Sequence, residues 1–141
     1  MKLLEIEEIL RKIIQRKYHI LEIKLEKYGL VKGQADLLLL IKDNDGITQI
    51  DLAEIIGIKD SSMSVRLCKL EQSGYIVREI DENNLKKKRV YVTVEGKKVS
   101  TQCRRFIREF EDKMYDGFSM RERNQFEKSI EKMMNNLNKN S

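Results

Sequence analysis

The stretch Gly46-Ile-Thr-Gln-Ile-Asp-Leu-Ala-Glu-Ile-Ile-Gly57, read on through Gly96, decides the fold. Thr48-Gln49-Ile50-Asp51 has the form of a capping box, in which the Thr48 hydroxyl accepts from the Asp51 amide and the carboxylate reaches back to the cap. A helix is expected to begin there. Ile50, Leu52, Ala53, Ile55 and Ile56 give it a short apolar face, Gly57 ends it with a tight left-handed turn, and Ile58 plugs the corner. A second helix, capped by Asp60 or Ser61, carries Met63, Leu67 and Leu70 at spacings that form one buried stripe. Beyond Ser73-Gly74, Tyr75 to Ile80 and Val90 to Val94 read as the two strands of a hairpin. The connection between them opens on Asp81-Glu82 and closes on Lys86, Lys87, Lys88 and Arg89, cations that cannot be buried without partners. Two short helices, a strand, a basic loop and a strand make up the order of a winged helix-turn-helix.

The exposed side of the second helix is polar. Ser61, Ser62, Ser64, Arg66 and Lys69 place hydroxyls near its start and cations further along, a surface suited to phosphates and to base edges in a major groove. Lys86, Lys87, Lys88 and Arg89 would then meet the neighbouring backbone or minor groove. Taken singly, each feature has a plainer meaning, since helix-turn-helix units occur in protein-interaction modules and a basic loop tip is often only solvated. Together they supply the two parts that a reader of double-stranded DNA needs. The alternative is a winged-helix module that binds an acidic protein through the same basic surface without sequence-specific DNA binding.

These residues resemble the MarR family of bacterial transcription regulators. The resemblance is carried by Gly46 to Gly57, Ser61-Ser62-Met63-Ser64, Leu70-Glu71-Gln72-Ser73-Gly74-Tyr75-Ile76-Val77-Arg78 and Val92-Thr93-Val94-Glu95-Gly96. Weaker echoes flank it at Gly33-Gln34 before the apolar run Leu37 to Ile41, and at Gly117-Phe118-Ser119 with Glu122-Arg123. It implies a recognition helix with Ser61, Ser62, Ser64, Val65, Arg66 and Lys69 at DNA, and a wing with Lys86, Lys87, Lys88 and Arg89 beside it. Two positions depart from the family. Asn84-Leu85-Lys86 stands where Asp-x-Arg is common, and lysine, more strongly hydrated and without the planar fork, suits a narrow minor groove less well. Val65 stands where many members have arginine, and its apolar side chain can meet a thymine methyl.

The ends of the chain predict long helices. Leu3, Ile6, Leu10, Ile13, Ile14, Tyr18, Leu21, Leu25 and Tyr28 recur at helical spacing up to Gly29. Val99, Cys103, Phe106, Phe110 and Met114 form a second stripe, and Phe126, Ile130, Met133, Met134 and Leu137 a third behind the capping box Ser119 to Glu122. A small winged domain cannot cover all three, and uncovered stripes of this length invite association. The expected architecture is therefore mainly α with α+β elements: a winged helix-turn-helix DNA-binding lobe at 32–96, with long N- and C-terminal dimerisation helices at 1–31 and 97–141. The resemblance implies the same homodimer, with two lobes about one DNA turn apart on a near-palindromic operator. An ordinary monomeric helical core is the alternative.

Composition agrees with this assignment. The 141 residues suit one domain, and a net charge of +5 favours nucleic acid or an anionic membrane. Membrane insertion is not expected, because the apolar run Leu37 to Ile41 is far short of the roughly twenty residues a span requires, and no signal peptide is visible. Two cysteines are too few for a disulfide framework, which points to a reducing, cytoplasmic setting. Cys103 reads as a small core residue, and Cys68 falls on the recognition helix, where oxidation would disturb binding. Neither an enzyme nor a resident cofactor is expected: His19 is the single histidine, and no phosphate loop, nucleophile elbow or two-histidine metal site occurs. The resemblance also implies a small aromatic or phenolic effector that releases the regulator, with Lys12, Arg16, Tyr18 and His19 on a helix bordering its cleft. Read from the residues alone, the four are a solvated face, a core tyrosine and an interface histidine.

Overall fold

The computed structural model describes residues 2–139, the side chains of Leu3 and Leu4 apart; Leu3 of the first stripe and the extreme ends of the two terminal regions fall outside it. The elements run α1 (Leu3–Leu25), a 3-10 turn (Glu26–Tyr28), α2 (Lys32–Asp43), α3 (Gln49–Ile56), α4 (Asp60–Gln72), β1 (Ile76–Ile80), β2 (Lys88–Val92), α5 (Val94–Met114) and α6 (Met120–Asn138). The chain divides into two compact units, 1–107 and 108–141.

In the first unit the core gathers around α4, whose Met63, Leu67 and Leu70 are fully buried as their spacing predicts. Leu38 and Ile41 of α2, Leu52 of α3 and Val90 of β2 are also sealed from solvent, and Val99 and Cys103 of α5 complete the cluster. Ile58 packs against this core from the corner. Gly57 adopts φ 81°, and its amide together with that of Ile58 bonds back to the Ala53 carbonyl. Of the expected α3 face Leu52 and Ala53 are buried and Ile56 packs partly against the core; Ile50 and Ile55 are 43% and 57% exposed, because at 100° per residue they flank that side of the helix.

β1 and β2 pair antiparallel with Ile76 opposite Val92 and Ile80 opposite Lys88. The second strand therefore starts and ends two residues earlier than its alternation suggests. The early start comes from pairing of Lys88 and Arg89 with Ile80 and Glu79, and it is flanked on the other side by residues 46–48: the Gly46 amide donates to Val90 O, Val90 donates to Ile47 O, and Thr48 bridges Arg89. Thr93 causes the early end, since its hydroxyl accepts from the Gly96 amide and donates to Gly74 O, which makes it the cap of α5. Lys88 and Arg89 thus belong to a strand, and only Lys86 and Lys87 remain on the loop.

At Gly96 the first turn of α5 lies directly on the Tyr75 backbone, just before β1, and on Val92 of β2. A Cβ there would sit 2.0 Å from the Tyr75 carbonyl oxygen. Tyr75 in turn donates its hydroxyl to the Tyr28 carbonyl at 2.6 Å, which ties the end of the 3-10 turn to the residue that leads into β1.

The outer half of α1 packs much less. Leu21 and Leu25 are buried, whereas Ile6, Ile9, Ile13, Ile14 and Tyr18 are each 39–56% exposed. In the second unit α6 begins with the expected capping box, Ser119 Oγ accepting from the Glu122 amide at 3.1 Å and Glu122 Oε1 from the Ser119 amide at 3.2 Å. Tyr115 stacks edge-on with Phe118 and Phe126. No residue of α6 is buried, and Ile130, Met133, Met134 and Leu137 all face solvent in the single chain.

Gly96→Ala is expected to lower the urea midpoint by the equivalent of about 1–3 kcal/mol through overpacking. Gly33→Ala, in open space within α2, is expected to raise it by about 0.4–1 kcal/mol. Equal effects at the two glycines would contradict the close packing of α5 on the Tyr75 backbone.

Candidate nucleic-acid interface

Period two along β1 turns Ile76 into the core and carries Arg78 to the same inner face, one step beyond the apolar cluster. A guanidinium there needs partners, and it has them. Its Nε and Nη2 donate to the two Glu71 carboxylate oxygens at 3.3 and 3.1 Å, while Nη1 donates to Gln49 Oε1 at 3.2 Å and to Ser64 Oγ at 3.0 Å. Gln49, itself buried, passes the connection on by donating Nε2 to Asp60 Oδ1 at 3.1 Å. One cation of β1 thereby fastens the start of α3, the first turn of α4, its middle and its end. The bidentate arrangement and the 14% exposure of Arg78 mark this as more than a surface ion pair.

Two expectations change in consequence. The cap of α4 is Lys59, with no side-chain bond to the helix, because the Asp60 carboxylate is taken up by Gln49. Of the capping box at Thr48, the hydroxyl accepts from Asp51 at 3.2 Å as expected, which is the half that holds the start of α3.

Ser61, Ser62, Val65, Arg66 and Lys69 lie on the outer side of α4, with Val65 63% exposed, and Ser64 is half-buried. Cys68 is also half-buried on this helix. Cys103, by contrast, is enclosed, and burial pushes its thiol up to about 11, in keeping with a core residue.

The wing is shaped by side chains at its base. Asp81 accepts from the Asn83 amide at 3.0 Å and Asn84 from the Lys86 amide at 3.1 Å, two Asx turns that lead the chain round. Arg89 does not point outward with the lysines. It donates to Gly46 O at 2.7 Å and pairs with Asp81 at 3.3 Å, because β2 carries it onto the face that meets the 46–48 segment. Of the expected run of four solvated cations, Lys86 and Lys88 are exposed, Lys87 is half-buried, and Arg89 holds the wing's base. Backbone donation from Asn83, then the charge of Arg89, keeps the Asp81 carboxyl below its ordinary value.

Between α4 and the wing lies a groove of about 300 Å³, lined by Gln49, Ile50, Asp60, Ser61, Ser64, Lys86 and Lys88. Of the residues singled out from sequence, Ser61 and Ser64 of α4 and Lys86 and Lys88 of the wing line this groove, whereas Ser62, Val65, Arg66, Lys69, Lys87 and Arg89 are not among its lining residues.

Lys12, Arg16, Tyr18 and His19 all lie on α1, where helical spacing puts Lys12, Arg16 and His19 on one side. Lys12 pairs with Glu8 at 3.5 Å, Tyr18 lies under the Lys32 ammonium at 4.8 Å, and His19 lines a separate hollow with Glu22, Ile23, Glu26, Leu30 and Val31. Among the described residues no cluster of His, Cys, Asp and Glu fit to hold a metal ion is present. No described helix is long and apolar enough to cross a membrane.

The pattern of the MarR family matches residues 30–88. An uncharacterized HTH-type transcriptional regulator of Bacillus subtilis, YybA, is 30% identical over 115 residues, a match that spans 82% of this chain and 77% of the relative. The chain belongs to the MarR family. That membership places it among winged helix-turn-helix transcriptional regulators and not among enzymes. A MarR transcriptional regulator from Methanosarcina mazei Go1 superposes with a TM-score of 0.79 at 26% identity, covering 96% of this chain and 98% of that one. FabT of Streptococcus pneumoniae, solved in complex with DNA, gives 0.87 at 20% identity over 99% and 100% of the two chains, a likeness of fold alone. Both superpositions extend through the terminal helices, beyond the segment that the family pattern matches.

Arg78 is the residue of this MarR family lobe that sequence reasoning passed over. Its signal was the strand period, which turns a cation inward, but its partners lie 7, 14 and 29 residues away and no local pattern names them. Hydrogen bonding to Arg78 holds the Glu71 carboxyl below its ordinary value of 4.5. A depressed carboxyl stabilises the fold above its unfolded pKa and ceases to do so as pH falls through the folded one. Stability should therefore decline below about pH 4.5, and Arg78→Ala should flatten the Glu71 part of that decline while leaving the part due to Asp81. Urea midpoints of both proteins between about pH 6 and 3 check this; parallel curves would contradict the link.

Proposed function

We propose that the protein is a cytoplasmic homodimeric repressor that occupies a near-palindromic operator. α4 lies in the major groove, where Ser61, Ser62, Ser64, Val65, Arg66 and Lys69 read or position, and Lys86, Lys87 and Lys88 hold the flanking backbone or minor groove. The observation that carries this is the common groove: hydroxyls of α4 and ammonium groups of the wing face one channel, as a duplex spanning both elements requires. The open apolar faces of α1 and of α6 support a second copy of the chain as the partner that covers them. FabT, whose fold this chain shares, was solved in complex with DNA, in keeping with such a role. Release by a small aromatic or phenolic anion has weaker support, since the hollow beside His19 also presents Glu22 and Glu26.

The rival is a winged-helix module for an acidic protein partner. Salt and sequence separate the two. A dimer that neutralises about six to ten phosphates loses roughly 10³ to 10⁵ in affinity for its duplex between 50 and 200 mM salt. Lys86→Ala and Lys88→Ala should each weaken binding across all sequences and lower the salt slope by about 1 for every phosphate no longer neutralised. Arg89→Ala should instead act through the wing's base, reducing thermal stability. Fluorescence anisotropy across a salt series, with a melting curve for each variant, checks all three, and a slope near zero would contradict the assignment.

A further inference from the structure

Ser64 is bonded unlike Ser100 and Ser129, which lie within helices, and Ser73, which caps one. Ser73, Ser100 and Ser129 each turn the hydroxyl proton back to a carbonyl of the preceding turn, the ordinary arrangement for serine in a helix. Ser64 instead accepts a proton from Arg78 Nη1 at 3.0 Å, and among the described residues its own O–H meets no acceptor. Arg78 cannot exchange roles with it, because a guanidinium only donates. The orientation of Gln49 is fixed for the same reason: its oxygen faces Arg78 and its nitrogen Asp60. Ser64 is thus held as a donor, and its free side opens on the groove between α4 and the wing, opposite Lys86 and Lys88 and beside Ser61.

A strand that passes from the major groove under α4 to the minor groove under the wing must cross that channel with its sugar-phosphate backbone. The donors there, two hydroxyls and two ammonium groups, suit an anionic oxygen; Asp60 is the one carboxylate lining the groove, and Gln49 engages it. We propose that the groove seats one phosphodiester of the DNA, and that Arg78 is a positioning residue that commits the Ser64 hydroxyl to donate to it. This rests on the operator-binding assignment above and assigns Ser64 to the backbone, not to a base edge.

The test uses the full-length protein and a duplex it selects from a random pool. Single linkages are replaced by neutral methylphosphonate, and affinities are measured for wild type, Ser64→Ala, Arg78→Lys and Arg78→Gln, with urea midpoints recorded for each. In the wild type one linkage per half-site should cost roughly tenfold on replacement, as expected for a bond to a charged acceptor. Ser64→Ala should lose a measurable part of that penalty at the same linkage while keeping the base preferences and the salt slope, and Arg78→Lys and Arg78→Gln, which also release Glu71 and Gln49, should lose the same part alongside a general fall in affinity. A merely structural role for Arg78 would leave the full methylphosphonate penalty in place in its variants, which would overturn the proposal. Loss of preference at one base pair in Ser64→Ala, with the linkage penalty intact, would also overturn it. Failure of the wild type to enrich any sequence would overturn the operator assignment itself, and the seat with it.

Discussion

Everything on the DNA-facing side of this lobe depends on the placement of one guanidinium. α3 has eight residues and buries little beyond Leu52 and Ala53, so apolar packing alone leaves its rotation against α4 weakly specified. Arg78 removes that freedom by engaging Gln49 at the start of α3, Ser64 on α4 and Glu71 near its end. Breaking such a network by removing one member leaves the others unpaired in a partly desolvated place, which costs more than the pair contributes when intact. The exposed face of α4 is thereby held at a fixed angle to the wing.

The wing follows the same logic at its base. Asp81 organises the loop through the Asn83 amide and fixes Arg89, which reaches the Gly46 carbonyl. A basic hairpin without such an anchor would sample many positions, and each ordered side chain would have to be immobilised on binding. With Arg89 fixed, Lys86 and Lys88 start from one side of a defined groove. Asn84, at the place where the family commonly has aspartate, still forms an Asx turn, so the departure alters charge more than shape.

Much of this was legible in the sequence because it is local. The stripe Met63, Leu67, Leu70, the left-handed Gly57 and the Ser119 to Glu122 capping box are patterns within a few residues, and each has the structure its spacing implies. Boundaries that depend on distant residues were not legible. β2 starts early because Lys88 and Arg89 pair with Ile80 and Glu79, and it ends early because Thr93 caps α5. Gly96 matched a family motif without disclosing that α5 rests on the Tyr75 carbonyl there. The candidate site divides the same way: exposure of the α4 face follows from helix periodicity, whereas the diversion of Arg89 and the commitment of Ser64 are tertiary effects. The terminal stripes announced apolar faces, and in the single chain those of α1 and α6 remain largely open.

Whether α4 and the wing act together on an operator is decided by a genomic-fragment selection with purified protein at about 150 mM salt, where screening has weakened nonspecific attraction. An enriched palindrome with half-sites about ten base pairs apart is the expected result. A folded dimer that enriches no sequence would contradict the joint action of helix and wing and favour an acidic protein as the partner of the basic face.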